Sequence, residues 1–164
     1  MISIDPSWRG TGTAQFDNDS LLLKEVHLLS VGKTKLTWES MARLAGSLSL
    51  QLYNAHNGAR IGIIEVPKVY PHSSKKSADG TEHNVDPNDI VRLAYLAGVL
   101  APGVETVTPQ EWKKQVPKKI HNQRVLSRLN EKERYLIEDY NCPAHLKHNV
   151  IDAVGLGLWK LGRM

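Results

Sequence analysis

The chain has 164 residues, 41% hydrophobic and 23% charged, with 21 Lys+Arg against 17 Asp+Glu and a net charge of +4. That composition excludes global disorder, and the length suits one domain, residues 1–164, with a core of its own. The single cysteine, Cys142, excludes an intrachain disulfide or a multi-cysteine zinc site; with no signal sequence ahead of MISIDP and no membrane-length apolar run, the expectation is a soluble protein of a reducing cytoplasm.

The chain opens with MISID, a short strand ending at Asp5, where Pro6 blocks further pairing. SWRGTG reads as a tight turn, with Gly10 and Gly12 expected to supply unusual dihedrals. TAQFD and LLLKEVHLLSV follow across the turn signal DNDS, so the first three strands form an antiparallel meander. From Trp38 to His56 the period changes: Met41, Leu44, Ala45, Leu48 and Leu52 recur at helical steps. ARIGIIEV is the next strand, and strand–helix–strand in this order predicts a parallel crossover.

Residues 67–86 carry Pro, Gly, Ser and paired Lys without periodicity, the pattern of a functional loop. DPNDIVRLAYLAGVLA is predicted helical, with Asp86 as N-cap and Pro87 at the first position. VETVT is a short strand, PQEWKKQV begins another helix, and HLKHNVIDAVGLGLWKLG is an apolar closing helix. The fold class is therefore α/β: three antiparallel strands, then strands alternating with helices.

Three acids stand where solvation alone would not put them. Glu65 follows the β-branched run IGII, and a carboxylate there is costly unless a lysine, an arginine or a metal ion meets it. Asp5 ends the first strand, and Asp152 lies on the apolar face of the closing helix. Two parallel strands ending in acids at one edge, crossed by that helix, would bring three carboxylates together. Such a cluster repels itself unless cations neutralise it, and carboxylate oxygens suit Mg²⁺ or Mn²⁺ rather than Zn²⁺. Each acid alone has an ordinary reading as a turn residue, a surface ion pair or a cap. Gly155, one turn beyond Asp152, is expected to let this face approach the sheet, while Asn149 and His148 share the face and can point at the same place.

IDPSWRGTG, IIEVP and NVIDAVGLGLW, in that order, resemble the RuvC-type Holliday junction resolvases of phages and prophages, and VTPQEWKKQVPKKIH is similar to the same branch. The resemblance runs from residue 2 to residue 162 and implies an RNase H-like fold with a five-stranded mixed sheet flanked by helices. It also implies a homodimer that binds four-way or branched DNA and nicks it by metal-assisted hydrolysis. Asp5, Glu65 and Asp152 match the family's metal-binding acids. The family usually carries an acid or a histidine three residues before the last Asp; here Asn149 occupies that position, with His148 beside it.

By that analogy two Mg²⁺ ions, with Mn²⁺ as the alternative, are bridged by Asp5 and held singly by Glu65 and Asp152. Asn149 is a further candidate ligand and His148 a candidate for orienting water. The expected product carries a 5′-phosphate and a 3′-hydroxyl. Residues 113–128 contain Lys113, Lys114, Lys118, Lys119, Arg124 and Arg128 and no acid, a candidate DNA track. Lys68, Tyr70, Lys75 and Lys76 follow Glu65 in the loop, with Tyr70 as a stacking group. Arg9, helped by Ser7 or Thr11, is placed near the scissile phosphate. The Gly-Lys-Ser/Thr signature of a P-loop is absent, so no nucleotide cofactor is expected. Two rival readings keep the fold: an RNA–DNA hybrid nuclease, and a junction-binding protein whose catalysis is weakened at Asn149.

Overall fold

A computed structural model describes residues 1–32, 37–67, 74–76, 82–84, 87–114 and 116–164, with backbone alone at 38, 74–76 and 82–84. Its main sheet contains β1 (Ile2–Asp5), β2 (Thr11–Phe16), β3 (Leu23–Leu29), β4 (Ile61–Glu65) and β7 (Glu105–Val107), in the order β3-β2-β1-β4-β7. The first three strands pair antiparallel, whereas β4 joins β1, and β7 joins β4, in parallel. This is the mixed five-stranded sheet expected from the sequence.

Helix α1 (Trp38–Ala55) begins at a Thr37 cap whose hydroxyl accepts from the Ser40 amide, and α2 (Pro87–Leu100) packs beside it. Together they cover one face of the sheet, where Leu48, Leu52 and Leu96 meet Ile2, Ile4 and Ile64. On the other face lies α6 (Lys147–Lys160), whose Val150, Val154 and Leu158 share a core with Ala14, Phe16 and Val26. Flanking α6 are α4 (Lys118–Ser127) and α5 (Glu131–Glu138). The buried Glu133 on α5 accepts from the Leu23 amide at 2.7 Å and pairs with Arg163 at 2.8 Å, which fixes this layer to the start of β3.

Four details differ from the sequence reading. The segment read as a loop carries a two-stranded ladder, β5 (Ser74–Lys76) against β6 (Glu82–Asn84), whose short polar strands leave no alternation to detect. The helix expected to run through PQEWKKQV is the single turn α3 (Pro109–Trp112). Lys114 at φ 55° takes the left-handed conformation that breaks it, and α4 starts afresh after Pro117. Neither Gly10 nor Gly12 adopts a positive φ; Gly12 sits within β2, where a Cβ would stand 2.0 Å from the Asn149 carbonyl oxygen, so it serves the contact with α6. On α6, Gly157 faces the sheet against Phe16 and Ser3, while Gly155 meets Val125 and Trp112 of the neighbouring helices.

Lys68, Tyr70 and Asp86 lie outside the described residues, and Lys75 and Lys76 are described only as backbone of β5. Among the described residues no helix is long and apolar enough to cross a membrane. Cys142 is a half-buried free thiol.

A candidate metal centre at the sheet edge

Strand alternation aims the acids. Ile2 and Ile4 enter the core beneath α1 and α2, so Ser3 and Asp5 point towards α6, and the Ser3 hydroxyl donates to the Ala153 carbonyl at 2.7 Å. On β4, Ile64 joins the α1 side, whereas Ile63 packs with Leu156, so Glu65 also faces α6. The parallel register pairs Ile4 with Ile64 and thereby sets Asp5 beside Glu65. Asp152, buried on α6, completes the group. All three acids line a cleft of about 660 Å³, together with Arg9, Lys113, Lys118, His121, His148 and Asn149.

Lys113 stands at the centre of this cleft. Its Nζ lies 3.1 Å from Glu65 Oε2 and 3.1 Å from Asp152 Oδ2, so a side chain expected on the DNA track is enclosed by the acids. Glu65 Oε2 also accepts from Trp112 Nε1 at 2.7 Å. The buried His121 brings Nε2 to 3.4 Å from Asp152 Oδ1, an ion-pair distance without hydrogen-bond geometry, and Asp152 Oδ1 has no hydrogen-bond partner among the described residues. The sequence reading missed Trp112 and His121 as parts of the site. The i, i+4 pair His121 and Val125, apolar-facing within a basic helix, was the available signal.

One ammonium does not neutralise three carboxylates. Burial, then Glu65 and Asp152, push the Asp5 carboxyl well above its ordinary value. Burial likewise raises Glu65 against the opposing pull of Lys113 and Trp112. Burial pushes Asp152 upward too, but there His121 and Lys113 prevail and the carboxyl lies below its ordinary value. Lys113 loses solvation by burial, yet the three acids hold its ammonium above the usual value. This donor set is oxygen-rich, has an uncommitted carboxylate oxygen and already binds a cation, so it fits a hard divalent ion.

Asn149 and His148 reach the same cleft. The Asn149 amide is buried and spends its Nδ2 on the Gly10 carbonyl at 2.6 Å, which ties α6 to the loop after β1. His148 is half-buried, its imidazole held below the ordinary value by burial and by Lys118. Within that loop the Thr11 hydroxyl donates to the Ser7 carbonyl at 2.9 Å and accepts the Ser7 amide at 3.1 Å, leaving Arg9 exposed at the rim. Trp8 packs under the loop against the α1-side core. Lys114, Lys118, Lys119, Arg124 and Arg128 are exposed.

The strand order β3-β2-β1-β4-β7, with α6 across one face, gives an RNase H-like fold, a mixed five-stranded sheet flanked by helices. The RuvC of T. thermophilus in complex with a Holliday junction substrate superposes over 99% of this chain and 96% of its own, with a TM-score of 0.56 at 16% identity. A second Thermus thermophilus RuvC structure gives a TM-score of 0.50 at 14% identity, covering 99% of this chain and 97% of its own. At that identity the likeness is one of fold. No protein-family model and no curated protein sequence matches the chain.

Proposed function

We propose that the chain is a metal-dependent, structure-selective DNA endonuclease of the RuvC type, acting on Holliday junctions and related branched DNA. The observation that carries this reading is the convergence of Asp5, Glu65 and Asp152 from three elements around a held cation, on this fold. Asp5, Glu65 and Asp152 would together hold the Mg²⁺ or Mn²⁺ ions, two per site, with Asn149 as a further candidate ligand. Bound there, the ions would supply a water nucleophile and a stabilised 3′-oxygen leaving group.

The chain's own groups do the positioning. Asp5, on β1 beside Glu65 and facing α6, presents its carboxylate to the same cleft. His148, largely neutral by burial, can accept a proton from water at the cleft mouth. Arg9 at the rim meets the phosphate beside the scissile bond, and Lys114, Lys118, Lys119 and Arg124 track the backbone beyond it. Lys113, held between Glu65 and Asp152, is the cation that bound metal would replace at those oxygens, and its ammonium would then be available to the substrate phosphate. Lys68, Tyr70, Lys75 and Lys76 complete the DNA-binding set in this reading. The exposed apolar residues Leu50 and Tyr53 on α1, and Val91 and Tyr95 on α2, offer a surface for the homodimer that paired nicks require.

The test is nicking of a labelled four-way junction against matched linear duplex, with Mg²⁺, Mn²⁺ or chelator. Metal-dependent paired nicks on the junction, leaving 5′-phosphates and abolished by Asp5→Asn, are expected. Full cleavage by Asp5→Asn would overturn the assignment. Asn149, a neutral amide where the family carries an acid or a histidine, favours a second reading, a junction binder with weakened catalysis. Tight junction binding without cleavage in either metal would select it.

A further inference from the structure

A second cluster of ligand-bearing side chains lies on the opposite face of the sheet. Glu25 and His27 project from β3 towards His56, which closes the C-terminus of α1. Single donor atoms from these three residues all lie within 4.8 Å of one another. His56 Nδ1 stands 3.2 Å from Glu25 Oε1 and 2.9 Å from Gln15 Oε1, and His27 Nε2 stands 3.6 Å from Glu25 Oε2. The acidic cleft lies across the sheet, on the α6 side.

Two observations make this cluster suited to a cation. The first concerns His56, whose side chain is wholly enclosed. Its Nε2 lies 2.8 Å from Thr13 Oγ1, and the Thr13 hydroxyl is turned to the His27 carbonyl at 3.4 Å. With Thr13 accepting the Nε2 proton, the Nδ1 lone pair is directed at the oxygens of Glu25 and Gln15, into the cluster, where a cation can take it up. The second observation is His27 Nε2, a buried nitrogen without a hydrogen-bond partner that is directed at the same carboxylate. An ion shared by Glu25, His27 and His56 satisfies both.

We propose that Glu25, His27 and His56 form a binding site for a borderline-soft divalent metal, with Zn²⁺ the best fit. Two imidazoles and a carboxylate are a zinc donor set and a poor one for Mg²⁺. Gln15 Oε1 or a water provides the fourth position. Ligand atoms around tetrahedral zinc lie about 3.4 Å apart, so a small closure of the cluster suffices. The Thr13 contact fixes the tautomer from outside, as carbonyls and carboxylates do at other histidine–metal sites. Glu25 and His27 are each about a third exposed, which gives the ion a path in. The bound metal ties the edge strand β3 to the end of α1, and it does not depend on the nuclease reading.

The test is a Co²⁺ titration of the full chain in excess Mg²⁺, which saturates the acidic cleft, read by visible ligand-field absorption and by the thermal midpoint. One Co²⁺ per chain with four-coordinate bands, displaced by Zn²⁺, is expected. Because His56 is enclosed, the deciding variants are the part-exposed His27→Ala and Glu25→Ala, each of which should weaken binding more than tenfold. Thr13→Val, which removes only the orienting contact, should weaken it about tenfold. Asp152→Asn should leave it unchanged. Absent binding, binding that survives both deciding variants, or binding lost with Asp152→Asn would each overturn the proposal.

Discussion

Lys113→Met isolates the electrostatics of the acidic cleft, because methionine keeps the apolar stem and removes the ammonium. The Nζ sits 3.1 Å from both Glu65 and Asp152. At an effective dielectric near 20, each such pair is worth ~5 kcal/mol before desolvation is counted. Removing one partner from a buried pair costs about 3–5 kcal/mol. Lys113 is 21% exposed and the acids 13% and 12%, so water recovers part of this. A net loss of ~2–4 kcal/mol follows, or roughly 5–15 °C in thermal midpoint for a domain of this size. The assay is thermal unfolding in chelator and again in Mg²⁺. In chelator the variant should melt below the parent by that margin. In Mg²⁺ it should gain more than the parent, since metal no longer has to displace the lysine; saturation at a hundredfold over Kd is worth about 2.7 kcal/mol. An unchanged midpoint in chelator, or an equal Mg²⁺ response in the two proteins, would refute the reasoning.

Three further outcomes are expected. Asp5 has a raised carboxyl in the folded state, so the folded chain holds a proton that the unfolded chain has lost, and stability in chelator falls as pH rises from the ordinary carboxylate value through the folded one. Asp5→Asn should remove much of that fall and melt above the parent at neutral pH, measured by thermal scans across pH; Glu65, shifted the same way, keeps a residual slope. Gly12→Ala puts a methyl 2.0 Å from the Asn149 carbonyl, where backbone must move, so it should cost ~3 kcal/mol or more by urea unfolding and displace Asp152 enough to abolish nicking. Replacing the exposed Lys118, Lys119 and Arg124 with Ala should weaken junction and duplex binding alike, and flatten the salt dependence by up to ~0.9 in log–log slope for each phosphate that is no longer neutralised.

The sheet was legible because its strands carry simple signals. Ile-Ser-Ile-Asp and Ile-Gly-Ile-Ile-Glu each end on an acid, and a parallel crossover between them puts both acids at one edge. The periodicity of α1, α2 and α6 was equally plain, as was the position of Asp152 on a glycine-bearing apolar helix. Lys113 was not legible as the cation at the centre. It is one of six bases in a run without acids, and which of them turns inward depends on the left-handed Lys114 that ends α3. The burial of His121 likewise depends on how α4 meets α6. Glu25, His27 and His56 escaped notice because they meet only through the β2–β3 register and the packing of α1, neither of which a linear reading supplies.

The acidic cleft combines a fixed frame with an unbalanced charge. Ser3 is hydrogen-bonded to Ala153, and Asn149 to Gly10, while Gly12 and Gly157 let α6 approach the sheet so closely that a Cβ at either would clash. Asp5, Glu65 and Asp152 therefore cannot relieve their repulsion by moving apart. The strain shows in the carboxyls of Asp5 and Glu65, both held above their ordinary values, and is eased by the Lys113 ammonium between Glu65 and Asp152. The frame is carried by central sheet strands and the buried helix α6, whereas the lysine sits at the end of a four-residue helix that a left-handed residue terminates. Of the two, the lysine is the cheaper to displace. A divalent ion would bring twice its charge to the same oxygens without a side chain to reorder, so Lys113 is the group that an ion entering the cleft would displace.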